Sequence, residues 1–326
     1  MNANVIYLQA AFWDKLRSDT SIAGLSCMIN VYDAISEAEL RTDISDETWD
    51  SDTYLTLLWK RHISGKSNID LYECLDINTP INDEEDLYAI YMIDCSDSIC
   101  DTSGASFGIK VINNNELLKN ESPFSRTGVS LNKNTPYENR FGQFKDIMHH
   151  PCNAMILIDP YLLCKPYNID NNLPYLLDVL LPTKKLKIQF QLSVYSRTDE
   201  RGVKDNAQVV YEHFSNLIHA LRKGLNYCLT LCVVNKSDDF HRRMIITNNI
   251  LLEAPDGFAV FNDEGKSNKN ARYDIVYPRL IGNCRQDMSE YLRWIQISKR
   301  NLFSSKNTTI GTKENRLFNI VPYCSK

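Results

Sequence analysis

This 326-residue chain contains no long apolar run, no basic residues before the first apolar run and no closely paired cysteine motif. No stretch approaches the roughly 20 apolar residues that a membrane-spanning helix needs. Residues 1–15 carry no basic segment before their apolar run, so we expect no secretory signal and a cytoplasmic protein. Hydrophobic and charged fractions of 43% and 24% are ordinary for a globular protein, and the length suits two domains.

The ten cysteines show neither a disulfide framework nor a zinc motif in their spacing. No C-x-x-C occurs, whereas tetrahedral zinc sites usually have such closely paired ligands. The closest pairs are Cys95 with Cys100 and Cys228 with Cys232. Cys228 and Cys232 stand in the apolar run 226–234, where alternation puts both on one face of a strand. We therefore expect buried cysteines that behave as small hydrophobic residues, and no cofactor.

Charge is unevenly distributed along the chain, although the formal net charge is only −5. Residues 1–150 contain 12 Lys and Arg against 24 Asp and Glu, a net charge of −12. Residues 151–326 contain 24 against 17, a net charge of +7. A basic half predicts contact with a polyanion, DNA or RNA, and an acidic half predicts a protein partner. Alternatively, the halves attract each other or an oppositely charged subunit.

Segment patterns predict an α/β protein with two domains. A buried strand near residue 90, a helix over roughly 96–106 and a strand at 108–112 predict a βαβ unit within a Rossmann-like parallel sheet. Residues 119–139 have the Asn, Ser, Pro, Thr and Lys content of a linker. We place an acidic α/β domain at 1–120, a linker at 121–138 and a basic α/β domain at 139–326.

The basic domain is predicted to continue as alternating strands and helices. The expected strands lie at 152–159, 184–196, 226–235, 241–247, 250–253 and 258–261, and the expected helices at 139–148, 172–181, 205–223 and 286–299.

Residues 238–258 carry the pattern most suggestive of chemistry. His241, Arg243 and Asn248 have the spacing of H-x-K-x-x-x-x-D, with Arg in the Lys place and Asn in the Asp place. Together with Asp159-Pro160-Tyr161, this resembles phospholipase D-like proteins over about residues 150–300. The resemblance is to the C-terminal domain of MIT-domain proteins, which lacks catalytic residues and binds phosphoinositide membranes.

This resemblance implies phosphate recognition with impaired turnover. Enzymes of the family need two histidines, one to attack phosphorus and one to protonate the leaving oxygen. No other histidine of this chain is followed two residues later by a basic residue. Arg243 keeps a positive charge and offers a planar fork for phosphate oxygens, whereas Asn248 lacks the charge of an Asp. In the competing interpretation, His241 and Arg243 are surface residues paired with nearby aspartates.

Two further basic residues follow predicted strands of this domain. Lys165 follows the strand that ends at Asp159, and Arg197 follows the strand that ends near Ser196. Ligands of open α/β sheets bind at the carboxyl ends of strands. We therefore expect Lys165 and Arg197 to share a ligand with the motif residues His241, Arg243 and Asn248. Because Arg243 stands at the start of its strand, this requires an antiparallel strand.

The N-terminal half resembles PIN-like nuclease domains, in an opening strand at 5–10 and a closing strand–helix–strand that ends at GIKVINNNELL. That family holds a divalent metal with carboxylates, one of them at the end of the first strand. Here that place reads Gln9-Ala10-Ala11, which weakens any such site. The remaining candidates are Asp14, Asp94, Asp97 and Asp101. We favour a different role for the acids at 94–101, that of capping a helix start.

Three functions follow from these patterns. The first is a catalytically degenerate binding or regulatory subunit for nucleic acid or another phosphate-rich ligand, similar to accessory proteins of bacterial anti-phage defence. The second is an active nuclease, either with His241 sites joined in a homodimer or with a divalent metal in the N-terminal domain. The third is a peripheral membrane adaptor that recognises phosphoinositides.

Overall fold

A computed structural model describes most of the chain. The described residues are 5–36, 38–56, 87–117, 126–133, 141–144, 151–163, 166–197, 207–235, 240–262, 264, 266–267, 269–280 and 285–320, without the side chains of 143, 166–168 and 285. Among them, every helix is too short or too polar to cross a bilayer.

The chain forms two compact units. The first contains Met1–Arg126, Val276–Leu292 and Ile320–Lys326, and the second contains Thr127–Ile275 and Arg293–Asn319. A parallel sheet lies in the first unit and a mixed sheet in the second, each with helices along the chain between strands. The predicted fold class, α/β with two domains, is confirmed at this level.

The sheet of the first unit has four strands in the order β2-β1-β3-β4, all parallel. Its strands are β1 (Val5–Leu8), β2 (Glu39–Thr42), β3 (Ile90–Met92) and β4 (Lys110–Ile112). Its helices are α1 (Ala10–Ser18), α2 (Ile22–Ser36), α3 (Asp46–Ser51), α4 (Asp97–Phe107) and α5 (Asn114–Leu117). The predicted βαβ unit is confirmed, because α4 joins the parallel neighbours β3 and β4.

Local sequence sets the limits of these helices. The Ser45 side chain accepts a hydrogen bond from the Thr48 backbone N–H at 3.2 Å and so caps α3. Helix α4 ends at Gly108, whose φ of 65° lies in the left-handed region that glycine adopts without strain. The Gly108 N–H donates to the Gly104 carbonyl at 2.7 Å, which closes the helix just before β4.

The sheet of the second unit has eight strands in the order β12-β8-β7-β6-β9-β10-β11-β5. These are β5 (Thr127–Leu131), β6 (Ala154–Ile158), β7 (Phe190–Arg197), β8 (Tyr227–Val234), β9 (Met244–Thr247), β10 (Leu251–Glu253), β11 (Ala271–Val276) and β12 (Thr308–Gly311). Strands β6, β7 and β8 are parallel, and β9 is antiparallel to β6. The remaining helices are α6 (Pro166–Leu180), α7 (Ala207–Leu221) and α8 (Arg285–Leu302).

Several segments differ from the sequence prediction. Within the predicted linker, 127–131 forms β5 and pairs antiparallel with β11, which was not predicted. Residues 258–261 form only an isolated bridge, from Phe261 to Ser267. Residues 184–189 precede β7 as a loop, although Leu186 is buried there. Alternation at 184–189 therefore reports burial rather than strand hydrogen bonding.

Candidate functional site

Three strands bring polar residues to one edge of the second unit's sheet. Strands β6 and β7 run parallel, so Asp159 and Arg197, at their carboxyl ends, lie at the same edge. Strand β9 runs antiparallel to β6, with Met244 opposite Ile158, so Arg243 at its start reaches that edge too. The antiparallel strand that Arg243 required is therefore present.

Asp159 is the buried centre of this edge, with 2% of its surface exposed. One carboxylate oxygen accepts hydrogen bonds from the Tyr161 N–H at 2.8 Å and the Leu162 N–H at 3.1 Å. The other accepts from the Phe258 N–H at 2.9 Å. Burial raises the pKa of Asp159, while these N–H donors and the Arg243 guanidinium act in the opposite direction. Asp159 thus anchors both the turn after β6 and the loop after β10.

Arg243 is held between those two segments. Its guanidinium carbon lies 5.2 Å from the centroid of the Tyr161 ring, a cation–π distance. One guanidinium nitrogen donates to the Pro255 carbonyl at 2.8 Å. Because these contacts fix the side chain, a ligand at this edge would meet a preorganised guanidinium.

Gly257 makes this packing possible. Its φ is 77°, and a Cβ there would lie 3.0 Å from Arg243 Cδ and 3.2 Å from an Asp159 carboxylate oxygen. A side chain at 257 would therefore be strained in its backbone and would crowd the two charged groups.

Arg197 and His241 form a second pair at the same edge. A terminal guanidinium nitrogen of Arg197 lies 3.2 Å from His241 Nδ1, so Nδ1 is the acceptor and the ring proton belongs on Nε2. Arg197 is only 6% exposed, and its buried Nε meets no hydrogen-bond partner among the described residues. His241 is exposed above it. A buried guanidinium whose Nε–H lacks an acceptor, next to an exposed imidazole, favours the binding of an anion.

Lys269 is a basic residue of this region that no sequence pattern revealed. Its ammonium donates to the Asp256 carbonyl. Burial lowers the pKa of Lys269, and the Arg243 charge acts in the same direction. The carboxylates of Asp256 and Asp159 oppose this shift. It comes from the loop before β11, 26 residues after Arg243, and no motif spacing connects the two.

Asn248 does not join this cluster. It is fully buried, and its side-chain oxygen accepts a hydrogen bond from the Asn153 N–H at 3.0 Å. Asn153 immediately precedes β6, so this contact lies at the opposite edge of the sheet from Asp159. Asn248 lies five positions after Arg243, across the four-residue strand β9, which corresponds to roughly 16 Å of extended chain. The expectation that Asn248 shares a ligand with His241 and Arg243 is not met by this geometry, and Lys165 falls outside the described residues.

Two of the acidic candidates of the first unit have local partners. The Asp94 carboxylate forms an ion pair with Lys15 at 2.7 Å. The Asp97 carboxylate accepts from the Asn113 side-chain amide at 2.7 Å. Among the residues that the structure describes, no three His, Cys, Asp or Glu side chains come together as metal ligands, with Asp14 included.

Comparison with known proteins assigns no family to the chain. No protein-family model matches the chain, and no curated protein matches it. Among solved structures, the chain is similar to the phosphatidylserine synthase of Haemophilus influenzae Rd KW20, with 11% identity and a TM-score of 0.32, over 95% of this chain and 83% of that one. At that TM-score the likeness carries no weight for function.

Proposed function

We propose that the second unit binds a phosphate-bearing ligand, and that the protein acts as a catalytically degenerate binding or regulatory subunit. One observation carries the proposal: the buried Arg197 guanidinium, whose Nε has no partner in the described part of the chain, lies against exposed His241 at the carboxyl edge of the sheet. Arg243 and Lys269 add positive charge along that edge. Guanidinium groups match phosphate oxygens in charge and in planar geometry.

Nucleic acid is the ligand that the charge distribution favours. The second unit, Thr127–Ile275 with Arg293–Asn319, contains 24 Lys and Arg against 17 Asp and Glu. A single phosphate would contact only the basic residues at the sheet edge. The net charge of +7 on the second unit attracts a polyanion over a longer range. The acidic first unit, at −12, is proposed to hold a protein partner.

The groups at this edge support binding without cleavage. A double-displacement reaction at phosphorus needs a nucleophile and an acid on opposite sides of the phosphate. His241 is the only histidine of the described residues at this edge, and its Nδ1 is engaged by Arg197. Asn248, the residue in the motif's acidic place, lies at the other end of β9.

Arg243→Ala tests the binding site. Hydrogen bonds to a charged group contribute about 1.5–3 kcal/mol, so the variant should bind a labelled single-stranded oligonucleotide about ten- to a hundredfold more weakly. Fluorescence anisotropy with matched DNA and RNA strands measures this, and circular dichroism checks that the variant is folded.

Arg242→Ala is the matched control for this test. Arg242 is the adjacent arginine, exposed, with its guanidinium 3.9 Å from the Glu253 carboxylate, so the same charge is removed at a different place. We expect a change within about fivefold, as for an exposed ion pair. Equal losses in the two variants would indicate general charge attraction and contradict the site.

Two further assays separate the alternatives. Sedimentation with phosphoinositide vesicles would favour the membrane adaptor if vesicles bind and both oligonucleotides do not. Incubation with DNA, RNA and a phosphodiester dye should give no hydrolysis, and His241→Ala should have no activity to lose. Hydrolysis that disappears in His241→Ala would establish the dimeric nuclease instead.

A further inference from the structure

Two cysteine side chains of the first unit lie close together beside the carboxyl end of β3. Cys95 follows this strand, and Cys100 stands in the first turn of α4. Their sulfur atoms are 3.3 Å apart, and both residues are partly exposed. Neither cysteine takes part in the proposed anion site.

The surrounding hydrogen bonds hold both cysteines in place. The buried Asn113 side-chain amide donates to the Cys95 carbonyl at 3.0 Å and to the Asp97 carboxylate at 2.7 Å. The Cys100 N–H donates to the Ser96 carbonyl at 3.2 Å as α4 begins. The two sulfur atoms are therefore positioned by backbone that is fixed on both sides, and little chain movement is needed to join them.

We propose that Cys95 and Cys100 form a reversible oxidation site, which a peroxide converts from a dithiol to an intramolecular disulfide. The sulfur of Cys95 attacks one peroxide oxygen, an S–O bond forms, the O–O bond breaks and the first water leaves. The sulfur of Cys100 then attacks the sulfenic sulfur, an S–S bond forms, the S–O bond breaks and the second water leaves. Two thiols are oxidised and one hydrogen peroxide is reduced to two waters.

The order of attack follows from the contact between the sulfurs. Either sulfur could donate the hydrogen bond between them. With the Cys100 thiol as the donor, this bond lowers the pKa of the Cys95 thiol. The same bond, together with burial, raises the pKa of Cys100. Cys95 is thus the better peroxide nucleophile and Cys100 the residue that resolves the sulfenic acid.

Other described cysteines lack this arrangement. Burial raises the pKa of Cys152 and of Cys232 to about 12, so both stay protonated thiols. Cys27 is also buried, and its sulfur donates to the Leu117 carbonyl at 3.3 Å. Cys228 is buried too, with its sulfur against the Thr312 hydroxyl, and no two of these four cysteines form a sulfur–sulfur contact in the described part of the chain. These four cysteines provide internal comparisons for the oxidation experiment.

Peptide mapping tests the proposal directly. The chain reads Asp94-Cys95-Ser96-Asp97-Ser98-Ile99-Cys100-Asp101, so a protease that cleaves before aspartate separates the two cysteines into peptides 94–96 and 97–100. After hydrogen peroxide treatment, denaturation and blocking with iodoacetamide, mass spectrometry should find these peptides joined, and dithiothreitol should separate them. Cys152→Ser should keep the joined product, whereas Cys100→Ser should lose it completely.

Two results would overturn the proposal. The first is recovery of 94–96 and 97–100 as separate peptides after peroxide treatment, each alkylated or oxidised to sulfinic acid. The second is a disulfide from Cys95 or Cys100 to another cysteine of the chain, in preference to each other.

Discussion

At the scale of single residues, Gly257 connects the loop after β10 to the charged edge. Its φ of 77° would strain any other residue, and an added Cβ would crowd Arg243 and Asp159 at 3.0 and 3.2 Å. The same residue donates its N–H to the Ala254 carbonyl at 2.8 Å, and its carbonyl accepts from the Tyr273 hydroxyl at 3.3 Å. The conformation of the loop after β10 and the packing of the charged Arg243 and Asp159 side chains therefore both depend on a glycine at position 257.

Gly257→Ala is expected to destabilise the second unit. A non-glycine residue in the left-handed region costs about 1–3 kcal/mol. Urea denaturation followed by circular dichroism should show a lower midpoint. Oligonucleotide binding should weaken as well, because Arg243 must move.

Gly142→Ala is the control, because an added Cβ there meets nothing within 4 Å. Its midpoint should shift by less than the equivalent of about 1 kcal/mol. Equal stability of both variants with wild type would show that the packing around Gly257 tolerates a methyl group.

Residue-level prediction from sequence succeeded only in part. Motif spacing located His241 and Arg243, and the structure brings both to the predicted sheet edge. Motif spacing misplaced Asn248, because the four-residue strand β9 carries that side chain to the opposite edge of the sheet. Lys269 was missed, because its proximity to Arg243 depends on how the loop before β11 returns to the edge.

At the scale of elements, β5 is the segment that composition described least well. Residues 127–131 alternate, with Val129 and Leu131 buried and Gly128 and Ser130 exposed. The segment is short and polar on one face, so it resembles a linker, and its strand character comes from pairing with β11. Segments with a strong local pattern were predicted correctly. Strands β3 and β4 and helix α4 were identified because the residues of each segment alone indicate a strand or a helix.

Leu131→Ala should show that β5 belongs to a folded unit. Leu131 is 2% exposed, and truncation of a buried leucine costs about 2–5 kcal/mol. The matched control is Ser130→Ala, one residue away on the exposed face, with a change of about 0.5 kcal/mol or less. Equal urea midpoints for the two variants would mean that 127–131 behaves as a linker in solution.

At the scale of the whole molecule, the charge asymmetry follows the two units. Grouping residues by compact unit, rather than by position before or after residue 150, again gives 12 Lys and Arg against 24 Asp and Glu in the first unit. The second unit again has 24 against 17. Charge separation is thus a property of the folded units, and the order of charged residues along the chain was enough to predict it.

Binding to nucleic acid should consequently fall steeply with salt. The logarithm of the affinity is expected to decrease linearly with the logarithm of salt concentration, with a slope near 0.7 per phosphate contact on a single strand. Arg243→Ala should reduce that slope by about one contact, whereas Arg242→Ala should preserve it. A flat salt profile for wild type would argue for a neutral or single-phosphate ligand.

The division of the first unit into three chain segments also has a consequence for biosynthesis. Met1–Arg126 leaves the ribosome long before Val276–Leu292, which belongs to the same unit. At about 5–20 residues per second, that wait lasts on the order of 10–30 s. Throughout that wait, the early segment lacks the later segments of its own unit and leaves the apolar surface that they cover open to aggregation. The length of this vulnerable period is therefore set by the order in which the segments are translated.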